Sequence, residues 1–374
     1  MLLGSYAWNF ALGLSHIVVP LYAHHLGFSG LELGVLFSLP IVAQLALGLV
    51  AGAATDRWGG RSTLLFSCAI LTLGGLVFPF SETFGPLLAA QFLLAIGRSL
   101  YWPAAQSIAS ELPGGRGVQL GRLNAVVSVG QISGTAGAGL LMALLGYLPV
   151  FVIFSLLCGA ALLESFRLPA GRAQAAKGGL FQHFGPLLRL PPIWLALLCA
   201  FLCAQPVSLG QSFYPLLLQS LDFGSGQIGP LLALRPLGAA VAALLCARLL
   251  GAGYGLAMAV SAGLLLAGGL FFAPAAGALL SAGALILLLG IGSGALLTYY
   301  QVVIAESTPV ASRGSALAIG GTGWALSHLV APFSMGWLSD HLSLARAFEL
   351  WALFTAALAV LLYVLSRRLL RAAR

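Results

Sequence analysis

Charge is what this chain has least of. Of 374 residues, 17 are lysine or arginine and 9 are aspartate or glutamate, 7% in all. A soluble domain carries about a quarter, so this composition cannot make an ordinary hydrated surface. Acids are scarcer than bases, and no two of them pair inside an apolar run. Also absent are His-Glu-x-x-His, Gly-x-Ser-x-Gly and Gly-x-x-x-x-Gly-Lys-Ser/Thr. Those gaps argue against a membrane hydrolase and against ATP-driven transport by this chain. The five cysteines (Cys68, Cys158, Cys199, Cys203, Cys246) lie in apolar runs without metal-ligand spacing, so no metal and no cofactor are expected. No basic n-region opens the chain, so a cleaved signal peptide is not expected.

What is present is apolar length. Hydrophobic residues make up 60% of the chain and its mean hydropathy is +1.02. Crossing a bilayer takes roughly 20 apolar residues, and about twelve such runs follow one another, the seventh read as a single helix over Pro192–Gln219. The only long polar stretch, 167–191, divides an N-terminal part, 1–166, from a C-terminal part, 192–374. The net charge of +8 is scattered over short loops, which fits a bilayer-spanning protein and not a nucleic-acid binder. Arg57, Arg61, Arg116, Arg122, Arg167, Arg172, Lys177, Arg189, Arg248 and Arg313 fall on one side, and Arg346 alone on the other. That bias places both termini and the central loop in the cytoplasm of a multi-pass inner-membrane protein.

Between the second and third spans stands Gly48-Leu-Val-Ala-Gly52-Ala-Ala-Thr-Asp56-Arg57-Trp-Gly59-Gly60-Arg61. Charges this dense between apolar runs belong at the lipid–water boundary. The pattern Gly-x-x-x-Asp-Arg-x-Gly-x-Arg resembles the signature loop of the major facilitator superfamily of secondary transporters. A repeat agrees with it: Glu111-Leu-Pro113-Gly-Gly-Arg116-Gly117 follows the fourth span and Glu306-Ser-Thr-Pro309-Val-Ala-Ser-Arg313-Gly314 the tenth. The resemblance implies an all-α integral membrane protein with twelve transmembrane helices in two pseudo-symmetric six-helix bundles, working by alternating access. It also implies a conformational latch at Gly52, Asp56, Arg57, Gly59 and Arg61, with Asp56 meeting the positive end of the eleventh span near Gly314.

Candidate cargo residues are polar groups inside the spans. Gln91, Arg98 and Trp102 share a face of the fourth span, and Arg98 lies roughly 20 Å from its outer start. Arg235 is placed similarly in the eighth span. An intramembrane charge is a functional hypothesis by default. The fifth span carries Asn124, Ser128, Gln131 and Thr135 at helical spacing, beside Gly121, Gly130, Gly134 and Gly139. That glycine pattern resembles the antiporter motif of drug/proton antiporters, with Thr135 in the usual proline position. By the same resemblance the first, fourth, seventh and tenth spans surround the central cavity. This adds Asn9, His16, Gln205, Ser208, Tyr299 and Gln301 as candidates, with Trp324 of the eleventh span. His328 and His16 are the candidates for carrying a coupling proton.

Two cargo classes follow. One is an amphipathic organic solute exported against protons, multidrug-fashion; the other is an anionic metabolite or lipid-like anion held by the intramembrane arginines. Either way the expected partners are a small-molecule substrate, a proton or other coupling ion, and the lipid bilayer, with the chain acting as a monomer.

Overall fold

The computed structural model describes residues 1–113, 115–168, 184–308 and 313–372. Among them there is no β-strand. The helices are α1 (Leu2–His25), α2 (Gly30–Trp58), α3 (Gly60–Val77), α4 (Phe84–Glu111), α5 (Arg116–Leu145) and α6 (Tyr147–Ser165). After the central segment come α7 (Phe184–Leu188), α8 (Pro191–Gly210), α9 (Tyr214–Ser220), α10 (Ser225–Gly251), α11 (Gly255–Phe272), α12 (Leu279–Ser307), α13 (Arg313–His341) and α14 (Leu344–Ala372). Ten of them are long and apolar enough to cross a membrane. With α10 and α13, of 27 and 29 residues, the helices of span length number twelve among the described residues.

Local chemistry sets several of the ends. Ser29 accepts from the Glu32 N–H while the Glu32 carboxylate accepts from the Ser29 N–H, a reciprocal cap that starts α2. Between α2 and α3 the chain turns on Gly59 alone, at φ 80° and ψ 151°, a conformation open essentially to glycine. This is why the charged signature loop is so short. The expected seventh span is not one helix. It breaks between α8 and α9 around Gln211–Phe213, and Pro215 at the start of α9 has no N–H with which to carry the ladder across. The expected linker also ends in structure, because Leu187 of α7 is buried among Ile193, Ala196, Ile304, Ala316 and Ile319.

The chain divides into two compact units. One holds Met1–Gly178 with Phe223–Ala233, the other Gly179–Asp222 with Leu234–Arg374. In the first, α1 packs on α5 and α6, α3 on α4 and α6, and α2 on α4. In the second, α8 packs on α12, α13 and α14, and α11 on α12 and α14. Four pairings recur six spans on: α8 with α13 and α14 answers α1 with α5 and α6, and α11 with α12 and α14 answers α3 with α4 and α6, in keeping with the internal repeat of the sequence. Phe80 and Leu280 are 81% and 86% exposed, a cost in water but not in lipid.

Glycine sets the closeness of α1 and α5. A Cβ on Gly13 would lie 2.6 Å from the Gln131 carbonyl oxygen, and one on Gly134 would lie 2.1 Å from that of Phe10. The segment 225–229 of the same unit lies equally close to α5, since a Cβ on Gly139 would be 2.0 Å from the Ser225 carbonyl oxygen. Of the α5 glycines, Gly130, Gly134 and Gly139 are spent on backbone contact, whereas Gly121 meets nothing within 4 Å. Gly134→Val is expected to lower the melting temperature in detergent by several degrees, since such overpacking costs about 1–3 kcal/mol. Gly137→Ala is the control, its added methyl meeting nothing nearer than 3.5 Å. Stepwise heating followed by size-exclusion elution reads both.

Candidate functional site

All nine acids of the chain sit at helix ends or in turns. Glu32 caps α2; Glu82 and Asp222 lie in turns; Glu111, Glu306 and Asp340 stand in the last turns of α4, α12 and α13. Glu164, near the end of α6, accepts from the Gly4 N–H in the first turn of α1, which satisfies one of that helix's orphan donors. Glu349 pairs with Arg346 at 2.8 Å at the start of α14. Asp56 belongs to the last turn of α2, where the helix dipole disfavours an acid. Its side chain, like those of Arg313–Ser315 and the expected partner region 309–312, lies outside the described residues.

The other latch residues fall as follows. Arg57 is exposed in the last turn of α2 and Gly59 makes the turn; Gly52 is within α2. Arg61 donates from Nη2 to the Phe166 carbonyl oxygen at 2.7 Å, closing the C-terminal end of α6. A cation at a helix C-terminus is favoured by both hydrogen bonding and the dipole.

Against these peripheral acids stand two cations deep in their helices. Arg98 lies about 21 Å along α4 and Arg235 about 15 Å along α10, at 1.5 Å per residue. Both are half-buried. Among the described residues neither guanidinium has a carboxylate or a hydrogen-bond acceptor, and the Nε of Arg98 is fully out of solvent without one. An unsatisfied buried donor on a charged group costs well over 1 kcal/mol.

The surroundings of Arg98 are aromatic and polar. Tyr101, one turn on, packs its ring 5.7 Å from that of Trp8 on α1, and Trp102 meets Tyr101 edge-on at 5.7 Å. The Tyr101 hydroxyl lies beside Ser5 and Asn9 but in hydrogen-bond geometry with neither. Asn9 is fully buried; its Nδ2 donates to the Ser5 carbonyl at 2.8 Å while its Oδ1 has no donor. Trp8 Nε1 is likewise buried without an acceptor. Gln91 is buried on α4; His16 on α1 and Gln131 on α5 are half-buried, whereas Asn124 and Ser128 are exposed. Trp8 and Tyr101 carry no charge and sit in apolar runs, so pattern alone reads them as core. Their signal is position, since Tyr101 is i+3 from Arg98.

In the second unit the expected residues scatter. Arg235 lies close to α8, where a Cβ on Gly210 would stand 3.8 Å from its Nε. Its own backbone is crossed by α12 at Gly290, where a Cβ would stand 2.0 Å from the Arg235 carbonyl oxygen. Ser208 is buried with its hydroxyl unpartnered. Gln205 turns to α14: its Oε1 accepts from the Thr355 hydroxyl at 2.6 Å and its Nε2 is left without an acceptor. Tyr299 packs near Gly255 at the start of α11, and Gln301 is exposed. Trp324 stacks on His328 at 5.5 Å, and the His328 Nδ1 lies 3.0 Å from the Trp324 carbonyl. Because a carbonyl can only accept, Nδ1 carries the hydrogen and Nε2 is the basic nitrogen.

The Gln205–Thr355 bond is structural, so Thr355→Val is expected to cost about 0.6–1.7 kcal/mol without changing flux. Adding Gln205→Leu removes the remaining orphan groups and should restore most of the loss. Thermal unfolding of the single and double variants checks this as a double-mutant cycle.

Helices of span length paired in this order, with two cations deep within them, are the framework of a multi-pass membrane protein. Solved structures match it throughout. A bacterial homologue of the human lysosomal transporter Spinster, inward-facing and unoccupied, superposes with TM-score 0.80 at 18% identity, covering 99% of this chain and 96% of that one. The nucleoside transporter NupG superposes with TM-score 0.76 at 14% identity, over 97% and 98%. The family model for the Major Facilitator Superfamily matches residues 3–287 and 208–373. The chain belongs to the major facilitator superfamily, and is a transporter, not an enzyme. An uncharacterized MFS-type transporter of Mycobacterium tuberculosis, MT2531, is 25% identical over 125 residues, 33% of this chain and 30% of that one. The curated relatives are matched over less than a third of their length.

Proposed function

We propose that this transporter moves amphipathic organic anions across the cytoplasmic membrane, outward from the cell, with both termini in the cytoplasm. One observation carries the reading: Arg98 stands midway along α4 with no acid or acceptor among the described residues, while every acid of the chain stands at a helix end or in a turn. A carboxylate, sulfonate or phosphate on the cargo supplies the missing partner through two parallel hydrogen bonds. Trp102, one turn on and half-buried, offers apolar ring surface to the rest of an amphiphile, backed by the buried ring of Tyr101. Arg235 is a second such cation, tested on its own.

The resemblances leave the cargo open, because one solved relative is titled a homologue of a lysosomal transporter and the other a nucleoside transporter. The multidrug reading draws on the α5 glycines and on the aromatic cavity, and of those glycines Gly130 and Gly134 also have a packing role against α1. Export follows from physics: a cell interior is negative, so an anion leaves down the electrical gradient.

The experiment is uptake into proteoliposomes of matched amphiphiles differing in charge alone, such as taurocholate against a neutral bile alcohol. Anion-selective flux is expected. Equal flux of the neutral partner would remove the reading.

A further inference from the structure

A second site lies within the second unit, where α10, α11 and α12 meet beyond Arg235. Helices α10 and α12 run in backbone contact at Gly238, Gly290 and Gly294, where added Cβ atoms would lie 2.0–2.5 Å from carbonyl oxygens. The next residue on that face of α12 is Thr298. Toward the end of α10 a groove of about 520 Å³ opens, walled by α10 and α11 and floored by α12. Its walls are apolar and buried at Cys246 of α10 and at Met258 and Ala262 of α11, and its rims, Leu245 and Leu249, are exposed. Among the described residues the side-chain hydroxyls lining it are those of Ser261 and Tyr254. Along α11 it runs from Tyr254 to Leu265, about 16 Å, which is half the hydrocarbon thickness of a bilayer.

We infer that this groove holds one acyl chain of an anionic phospholipid, with the headgroup phosphate at Arg248 and the Tyr254 hydroxyl. The length fits a single leaflet, and the wall chemistry fits hydrocarbon. Charge complementarity selects the headgroup. Arg248 adjoins the rim residue Leu249, and from residue 236 to 305 it is the only charged residue of the sequence. No acid within that stretch competes for it. Tyr254 is 61% exposed at the mouth, with its ring on the groove and its hydroxyl free to reach the headgroup layer. The site is distinct from Arg98, since it lies on other helices and needs no transport, and it shares α10 with Arg235, which stands seven residues before the first lining residue, Ala242.

The test is lipid retention. Full-length protein is reconstituted in vesicles of phosphatidylglycerol and phosphatidylcholine at equal amounts, extracted, and weighed intact with its bound lipids. Wild type is expected to retain one phosphatidylglycerol with about fivefold preference, equivalent to about 1 kcal/mol for one basic residue at the headgroup layer. Arg248→Gln keeps a lipid but loses the preference. Ala257→Trp, which fills the groove, loses the lipid whatever its headgroup; Ser261→Phe repeats that test should the tryptophan variant elute as aggregate. Equal retention of the two lipids by wild type, or an undiminished lipid in the filled groove, overturns the assignment.

Discussion

Arg98→Leu is expected to yield a transporter that folds better than wild type and moves no anion. The two halves of that statement have separate causes. A guanidinium at mid-membrane costs about 2.5–3.5 kcal/mol, and leucine at the same depth is favourable. Because Arg98 has no acid or acceptor among the described residues, its removal strands no protein group, so melting in detergent should shift upward. Cargo loses its charge partner at the same time. Truncating one side of a desolvated charge pair costs about 2–5 kcal/mol, so anion flux should fall by about 30-fold or more. Arg98→Lys keeps the charge but not the planar fork, and intermediate flux with raised KM is expected. Proteoliposome uptake beside thermal unfolding reads both halves. A structural arginine would give the opposite pair, with stability lost and the flux of every solute lowered alike; unchanged anion flux in a stable Arg98→Leu protein would sink the cargo reading.

Arg98 was legible from sequence because a charge inside an apolar run stands out, whether it serves cargo or is held by backbone carbonyls and water. Its companions were not. Trp8 and Tyr101 look like core residues until a ring distance of 5.7 Å places them together and their polar atoms prove unsatisfied. Gln205 was visible as a polar residue, but a helix that is apolar all round gives no phase. Only packing shows that it faces Thr355 on α14. Arg61 shows a different limit: its acceptor is the backbone carbonyl of Phe166, a group every residue has. Span lengths could be read in advance because they follow from hydrocarbon thickness. The break between α8 and α9 could not, since Pro20 and Pro40 sit inside unbroken helices and Pro215 looks the same in sequence.

Membrane potential alone is expected to drive anion accumulation, without a pH gradient. Carboxylate-based proton coupling needs an acid that is carried within the spans, and all nine acids stand at helix ends or in turns. A monoanion crossing the full field gains about 2.3 kcal/mol per 100 mV, which corresponds to a gradient of about 50-fold at 1.36 kcal/mol per decade. In vesicles clamped by a potassium gradient with valinomycin, a 100 mV potential, positive inside, should therefore concentrate a transported sulfonate by about that factor. A pH difference imposed at zero potential should do nothing. His16 and His328 are the groups that would break this expectation, since a proton carried on either imidazole alongside each anion makes the cycle electroneutral. The outcome then reverses, with accumulation following the pH difference and indifferent to valinomycin. Substituting His328 with glutamine separates the cases: an electrogenic carrier keeps its response to potential, whereas one coupled through that imidazole loses its response to pH.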